Sequence, residues 1–212
     1  MTDDPRLVDP DYDKHGGFPN FQIIEPPAEF GRFLTAMRRA QDLAVSAAPD
    51  AATWGRAAEL AEELVALLAP HEAPEGVGPA NRSPSLPGAG SLLAPPWRIL
   101  GMDPDGTVEL TVRFSRYHVG GNSAVHGGVL PLLFDNVFGM VIHAAGRPIS
   151  RTAYLHVDYR RVTPIDVDLT ARGRLDRTEG RKAFVGAELR DPQGNLLAEA
   201  NGLMIRLLPG QP

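Results

Sequence analysis

The residue best placed for chemistry is Asp135, a lone carboxylate inside residues 129–145, where most of the other side chains are Leu, Val, Phe, Met or Ile. A buried carboxylate costs several kcal/mol unless it is paired or neutralised. No Lys or Arg stands within one helical turn of it; the nearest basic residues are His126 and His143. Isolated carboxylates of this kind mark functional sites; the alternative is that Asp135 points to solvent or bonds a neighbouring backbone group. Just ahead of the apolar run stands His126-Gly127-Gly128. Glycines let a ligand approach the backbone closely. The first amides of a helix are unpaired and sit at the positive end of its dipole. Together they suit an anion or a developing oxyanion, although the same residues also describe an ordinary glycine-rich turn. His126 and Asp135 are nine residues apart, about 13.5 Å if the stretch is helical throughout, so the two should not form a dyad within one segment.

Other chemistries find less support. His118, His126, His143 and His156 lack paired ligand spacing, so no metal site is expected. There is no Gly-x-Ser-x-Gly sequence, which disfavours a serine hydrolase. No Gly-x-Gly-x-x-Gly follows a strand pattern, so a dinucleotide site is unsupported. The chain has no cysteine, which excludes thiolate nucleophiles, zinc-thiolate sites and disulfides. A net charge of -5 argues against nucleic acid as the main partner.

These residues need elements to position them. Residues 129–145 are apolar nearly all round and too long for most strands, so a buried helix is expected. Pro131 is tolerated only in a first turn, which puts the helix start near Gly127 and Gly128. Residues 107–117 alternate, with Val108, Leu110, Val112 and Phe114 on one face, and follow a turn at Asp103-Pro104-Asp105-Gly106. Strands are also expected over 97–102, 152–161, 167–176, 181–190 and 196–208, with short turns at 178–180 and 191–195 that imply antiparallel hairpins. The order is two strands, a helix and four strands. A helix apolar on every side must be wrapped by a curved sheet or by several layers.

Eleven of the twenty prolines fall before residue 90, so the N-terminal part should be the irregular one. Residues 1–27 read as an acidic arm without the apolar stretch of a signal peptide. No segment is long and apolar enough for a membrane span, so a cytoplasmic protein without membrane insertion is expected. Two amphipathic helices follow. One carries Phe30, Phe33, Leu34, Met37, Ala44 and Val45. The other carries Leu60, Leu64, Leu67 and Leu68, with Asp50 or Thr53 as its cap and Pro70 as its stop. Both are expected to lie on the main domain, where they could form a lid. Residues 71–96, rich in Pro and Gly, read as a linker or as an extended segment crossing a surface.

The run His126-Gly127-Gly128-Val-Leu-Pro-Leu-Leu-Phe-Asp135-Asn136 resembles the active-site helix of hotdog-fold acyl-CoA thioesterases of the PaaI-type group. So do the segment Thr152-Ala-Tyr-Leu-His-Val-Asp-Tyr159 with Thr163-Pro164, the Glu179-Gly180-Arg181-Lys182 hairpin and Leu197-Ala-Glu-Ala200. The resemblance covers roughly residues 95–208, and the segment 84–96 looks like the proline-rich lead-in of actinobacterial members with an N-terminal extension. It implies an α+β hotdog fold, a curved antiparallel sheet around one helix, over 95–212. Residues 1–94 would be an arm, two helices and a linker.

The resemblance also implies roles. Asp135 would activate water or attack the thioester itself. Gly127, helped by Gly128, would donate a backbone N–H to the thioester carbonyl, and His126 would shape the loop. Thr152 falls where members carry a Ser or Thr that helps to hold the water. Some members have a polar residue six or seven positions before the His, where this chain has Gly120 and Val119; Asn122, nearby but out of register, is the residue able to supply that group. Strict alternation sets Thr152 on the face opposite Ala153, Leu155 and Val157, pointing it to the strand's end or across a dimer seam. An isolated carboxylate and an amide cradle are a coherent pair of parts for acyl hydrolysis. Arg160 and Arg161, at the end of that strand, are candidates for CoA phosphate contacts, or else a solvated strand end or an ion pair. No cofactor is implied, since CoA is part of the substrate. A homodimer or homotetramer is expected, because a single sheet would leave an open edge. The alternatives are a hotdog module that binds acyl-CoA without turnover and a hotdog dehydratase.

Overall fold

The computed structural model describes residues 22–208. The expected arm therefore lies, apart from its last few residues, outside the described part, as does the stretch in which no signal peptide is expected. Helix α1, Ala28–Ser46, starts after Pro26-Pro27, and buries Leu34. It is held to the body by Arg38, whose guanidinium donates to the carbonyls of Pro87, Ser91 and Ala94. Burial pulls the Arg38 pKa below its ordinary value; three carbonyl acceptors offset part of the lost hydration, while Nε is buried without a partner among the described residues. Near the far end of α1, Asp42 accepts the Tyr117 N–H at 2.9 Å.

Helix α2, Ala51–Leu68, is capped by Asp50, whose Oδ1 accepts the Thr53 N–H at 2.8 Å. It ends in a short 3-10 turn containing Pro70. The expectation that both N-terminal helices lie on the main domain holds for α1 and fails for α2. No residue of α2 is buried, and Leu60 and Val65 are 50% and 67% exposed. The physical reason is local: Ala47 is extended and Pro49 follows, so the chain leaves α1 in a direction that lays α2 on nothing among the described residues. By contrast, the proline-rich stretch after α2 is a built strap. Ser83, Gly88, Ser91 and Ala94 are buried, and Gly88 donates its N–H to the Trp97 carbonyl.

The body is a six-stranded sheet built from β1 Arg98–Met102, β2 Val108–Arg113, β5 Ser150–Tyr159, β6 Asp168–Glu179, β7 Lys182–Arg190 and β8 Leu196–Arg206. Their order is β1-β2-β6-β7-β8-β5, antiparallel at every pairing. A separate small hairpin, β3 Val119–Gly121 and β4 Ala124–Val125, leads into α3, Val129–Ala144. Alternation on β2 places Val108, Leu110 and Val112 on the inner face, all essentially without exposure. Against that face α3 buries Leu130, Leu133, Phe134, Val137, Phe138, Val141 and Ile142. Each such side chain contributes about 2 kcal/mol. The close approach depends on Gly173 and Gly202, where a Cβ would run into Val137 and Phe138 respectively.

Residues 129–144 form the expected helix, one residue shorter than expected because Ala145 caps it, but the sheet does not close around it. Asp135, Gly139 and His143 are exposed along one side, with Asn136 and Met140 partly so. β5 is an edge strand with a bulge: Thr152 pairs with Met204 and Tyr154 with Leu203, so Ala153 is the extra residue. That insertion reverses the phase expected from strict alternation. Thr152 now shares the helix-facing side with Leu155 and Val157, instead of lying opposite them.

Candidate active site

The bulge has a direct consequence for Asp135. Thr152 Oγ1 donates to Asp135 Oδ1 at 2.6 Å, with Met204 Sδ 3.2 Å from the same hydroxyl. The bond is short and charge-assisted, and it fixes one carboxylate oxygen while leaving the other open. Asp135 is exposed in the single chain, so it is not the buried, unpaired carboxylate that its apolar neighbours suggest. It lies at the wall of a cavity of about 780 Å³ between α3, β1, the start of β5 and the proline-rich strap. Trp97 ties the strap to the helix: its Nε1–H donates to Asn136 Oδ1 at 3.1 Å, while Asn136 Nδ2 donates to the Leu132 carbonyl at 2.9 Å. Trp97 and Asn136 are contributions to the site that periodicity could not reveal, because the bond joins residues 39 positions apart.

At the other end of α3, His126, Gly127 and Gly128 form an exposed turn. His126 Nδ1 accepts the Gly128 N–H at 3.0 Å, which leaves the neutral ring's proton on Nε2. The Gly128 amide is thus engaged and the His126 N–H donates to the His118 carbonyl, so of the three amides of this turn the Gly127 N–H is the one with no acceptor among the described residues. Tyr159 was not singled out from sequence. Its hydroxyl donates to the Gly127 carbonyl at 2.8 Å, holding the turn from the far end of β5. Gly120 is required close by, since a Cβ there would meet the His126 backbone at 2.8 Å.

The remaining predicted residues separate. Asn122 sits with Ser123 at the tip of the β3–β4 hairpin, both with positive φ, as in a type I′ turn. No hydrogen bond joins it to Asp135, Thr152 or the His126 turn. Arg160 is committed to Glu199 at 2.6 Å and to Asp158 at 3.5 Å, and its pKa is raised chiefly by the Glu199 bond. Arg161 lies exposed near Asp191, whose pKa its charge helps to lower after the Asn195 bonds. No three His, Asp or Glu side chains among the described residues gather to hold a metal, and no helix among them is long and apolar enough to cross a membrane.

A six-stranded antiparallel sheet against one central helix is the architecture of the hotdog fold, and the comparisons with known proteins place it among thioesterases. The thioesterase superfamily model matches residues 122–198. A thioesterase superfamily protein of known crystal structure is 30% identical and superposes with a TM-score of 0.74 over 86% of this chain and 98% of that one. The chain belongs to the thioesterase superfamily. Among curated relatives, the acyl-coenzyme A thioesterase THEM4 of Rattus norvegicus is 33% identical over 89 residues, 42% of this chain and 38% of that protein. The match therefore spans well under half the length of that relative. The smu.793 protein of Streptococcus mutans, solved bound to acetyl CoA, shares the fold at 16% identity and a TM-score of 0.50, over 54% of this chain and 91% of that one.

Proposed function

We propose that the protein hydrolyses acyl-CoA thioesters to a free acid and CoA, with Asp135 as the general base. The observation that carries this reading is the Thr152–Asp135 bond at 2.6 Å on the wall of a largely apolar cavity. Thr152 holds one carboxylate oxygen, and the other takes a proton from water as the water oxygen attacks the thioester carbon. The carbonyl oxygen becomes an oxyanion that needs a preorganised N–H donor. Collapse of the tetrahedral intermediate breaks the C–S bond, and the departing thiolate recovers the proton from Asp135. The acyl-CoA class is favoured by the names of the curated relatives.

The free Gly127 N–H is the donor best suited to that oxyanion, but not within one chain. Gly127 lies just before α3 and eight residues from Asp135, about 12 Å along the axis, which is too far for one carbonyl carbon. Strand β5 supplies a solution. It is one of the two edges of the sheet, β1 being the other, and it carries Thr152, which holds Asp135, near one end and Tyr159, which holds Gly127, at the other. Antiparallel pairing of two β5 edges about a two-fold axis near its centre brings Thr152 and Asp135 of one copy beside Tyr159 and Gly127 of the other. Such pairing also satisfies the unpaired edge. The protein then acts as a dimer with two composite sites. A panel of acyl-CoAs, followed by release of free thiol, tests the activity; absence of release from every member would rule out the reading.

A further inference from the structure

The cavity beside Asp135 is lined on α3 by Asp135, Asn136, Gly139, Met140 and His143, which lie along one helical face. Gly139 stands apart among them. Glycine inside a helix is less favourable than alanine, so its presence calls for a reason. Its φ is not positive, so no turn requires it. A Cβ at this position would meet nothing within 4 Å, so close packing does not require it either. This is the opposite of Gly173 and Gly202, where the helix presses on the sheet. A side chain at 139 would enter the cavity, one helical turn beyond Asp135 and about 6 Å along the axis.

The rest of the lining indicates what occupies that space. Three of the five methionines in the chain, Met102, Met140 and Met204, border the cavity together with Trp97 and Ile99. Methionine is unbranched and polarizable, and adapts to irregular, mobile apolar partners. Trp97 is fixed by its bond to Asn136, so the lining combines a rigid aromatic ring with adaptable methionines. We propose that Gly139 is a specificity-determining residue, its missing side chain opening the channel that takes a flexible aliphatic acyl chain away from the thioester at Asp135. This assignment rests on the acyl-thioester reading above, and it gives that reading a substrate class.

The test uses the full chain with Gly139→Leu and Gly139→Ala. The first readout is the ratio of kcat/KM for decanoyl-CoA to that for butyryl-CoA, which should fall at least tenfold in Gly139→Leu. Gly139→Ala shifts the ratio in the same direction by at least twofold, and carries the test if the leucine variant does not fold. The second readout is calorimetric binding of dodecanoate, which the wild type should bind and Gly139→Leu should bind at least tenfold more weakly. A folded Gly139→Leu protein with an unchanged ratio or unchanged dodecanoate affinity overturns the assignment, as does a wild type that binds no dodecanoate. If dodecanoate binds in a Gly139-dependent way while no acyl-CoA is hydrolysed, the channel stands and the hydrolytic reading falls.

Discussion

Thr152→Val removes one hydroxyl and little else. Both side chains are β-branched, and valine suits an edge strand at least as well as threonine, so the bulge at Ala153 should persist. The lost bond is a 2.6 Å contact to a carboxylate oxygen. Bonds to ionised groups are worth about 1.5–3 kcal/mol when shielded. Thr152 and Asp135 are both exposed in the single chain, so the lower end of that range applies, roughly 1.4 kcal/mol or a tenfold loss of rate. The loss should fall on kcat rather than KM, because the hydroxyl orients the base and does not hold the acyl chain. Thr152→Ser keeps the donor and should stay within about threefold of wild type. Steady-state kinetics by thiol release on all three proteins, with melting temperatures on the same samples, decides the matter. A valine variant with wild-type kcat, or a serine variant that loses as much as the valine one, would refute the orienting role.

Two further outcomes follow from other parts of the molecule. His118 is buried, and burial lowers its pKa from the ordinary 6.5, with the nearby Arg38 charge acting in the same direction; the folded chain thus binds fewer protons than the unfolded one below that value, so stability is full above about pH 6.5 and declines as pH falls through the window beneath it. Melting curves at pH 7.5 and 5.5 should show a smaller acid-side loss for His118→Asn than for wild type, and equal losses would refute this. Coexpression of Asp135→Asn with Gly127→Pro, each inactive alone, should restore about a quarter of wild-type activity, since half of randomly formed two-fold dimers are mixed and each has one intact site; no restoration in dimers shown to be mixed would contradict the composite site.

Much of this architecture was legible because it rests on local rules. Alternation at Val108, Leu110 and Val112 marks a half-buried strand, and the position of Pro131 fixes the start of the central helix. Asp135 stood out as a carboxylate among apolar neighbours. What escaped depends on distant pairing. The bulge at Ala153 is set by the register with Met204 and Leu203, and nothing within the sequence of β5 marks it, so strict alternation puts Thr152 on the wrong face. The Tyr159–Gly127 and Trp97–Asn136 bonds join elements far apart in the chain. The second N-terminal helix has a clear apolar stripe, yet a stripe states only that a helix favours cover, not that its own chain provides it. The Gly128 amide, read as a possible oxyanion donor, is engaged by the ring of its neighbour His126, a side-chain rotamer that residue spacing does not specify.

The measurement that bears most directly on the central claim is the acyl-CoA hydrolysis rate of Asp135→Asn, paired with thermal unfolding of the same sample. Asparagine is nearly isosteric and can still accept the Thr152 hydroxyl bond through its side-chain carbonyl, so the fold should survive. It cannot take a proton from water near neutral pH, and the rate should fall by about 10²- to 10⁴-fold with the melting temperature close to wild type. A folded Asp135→Asn protein that keeps most of the wild-type rate would contradict the account.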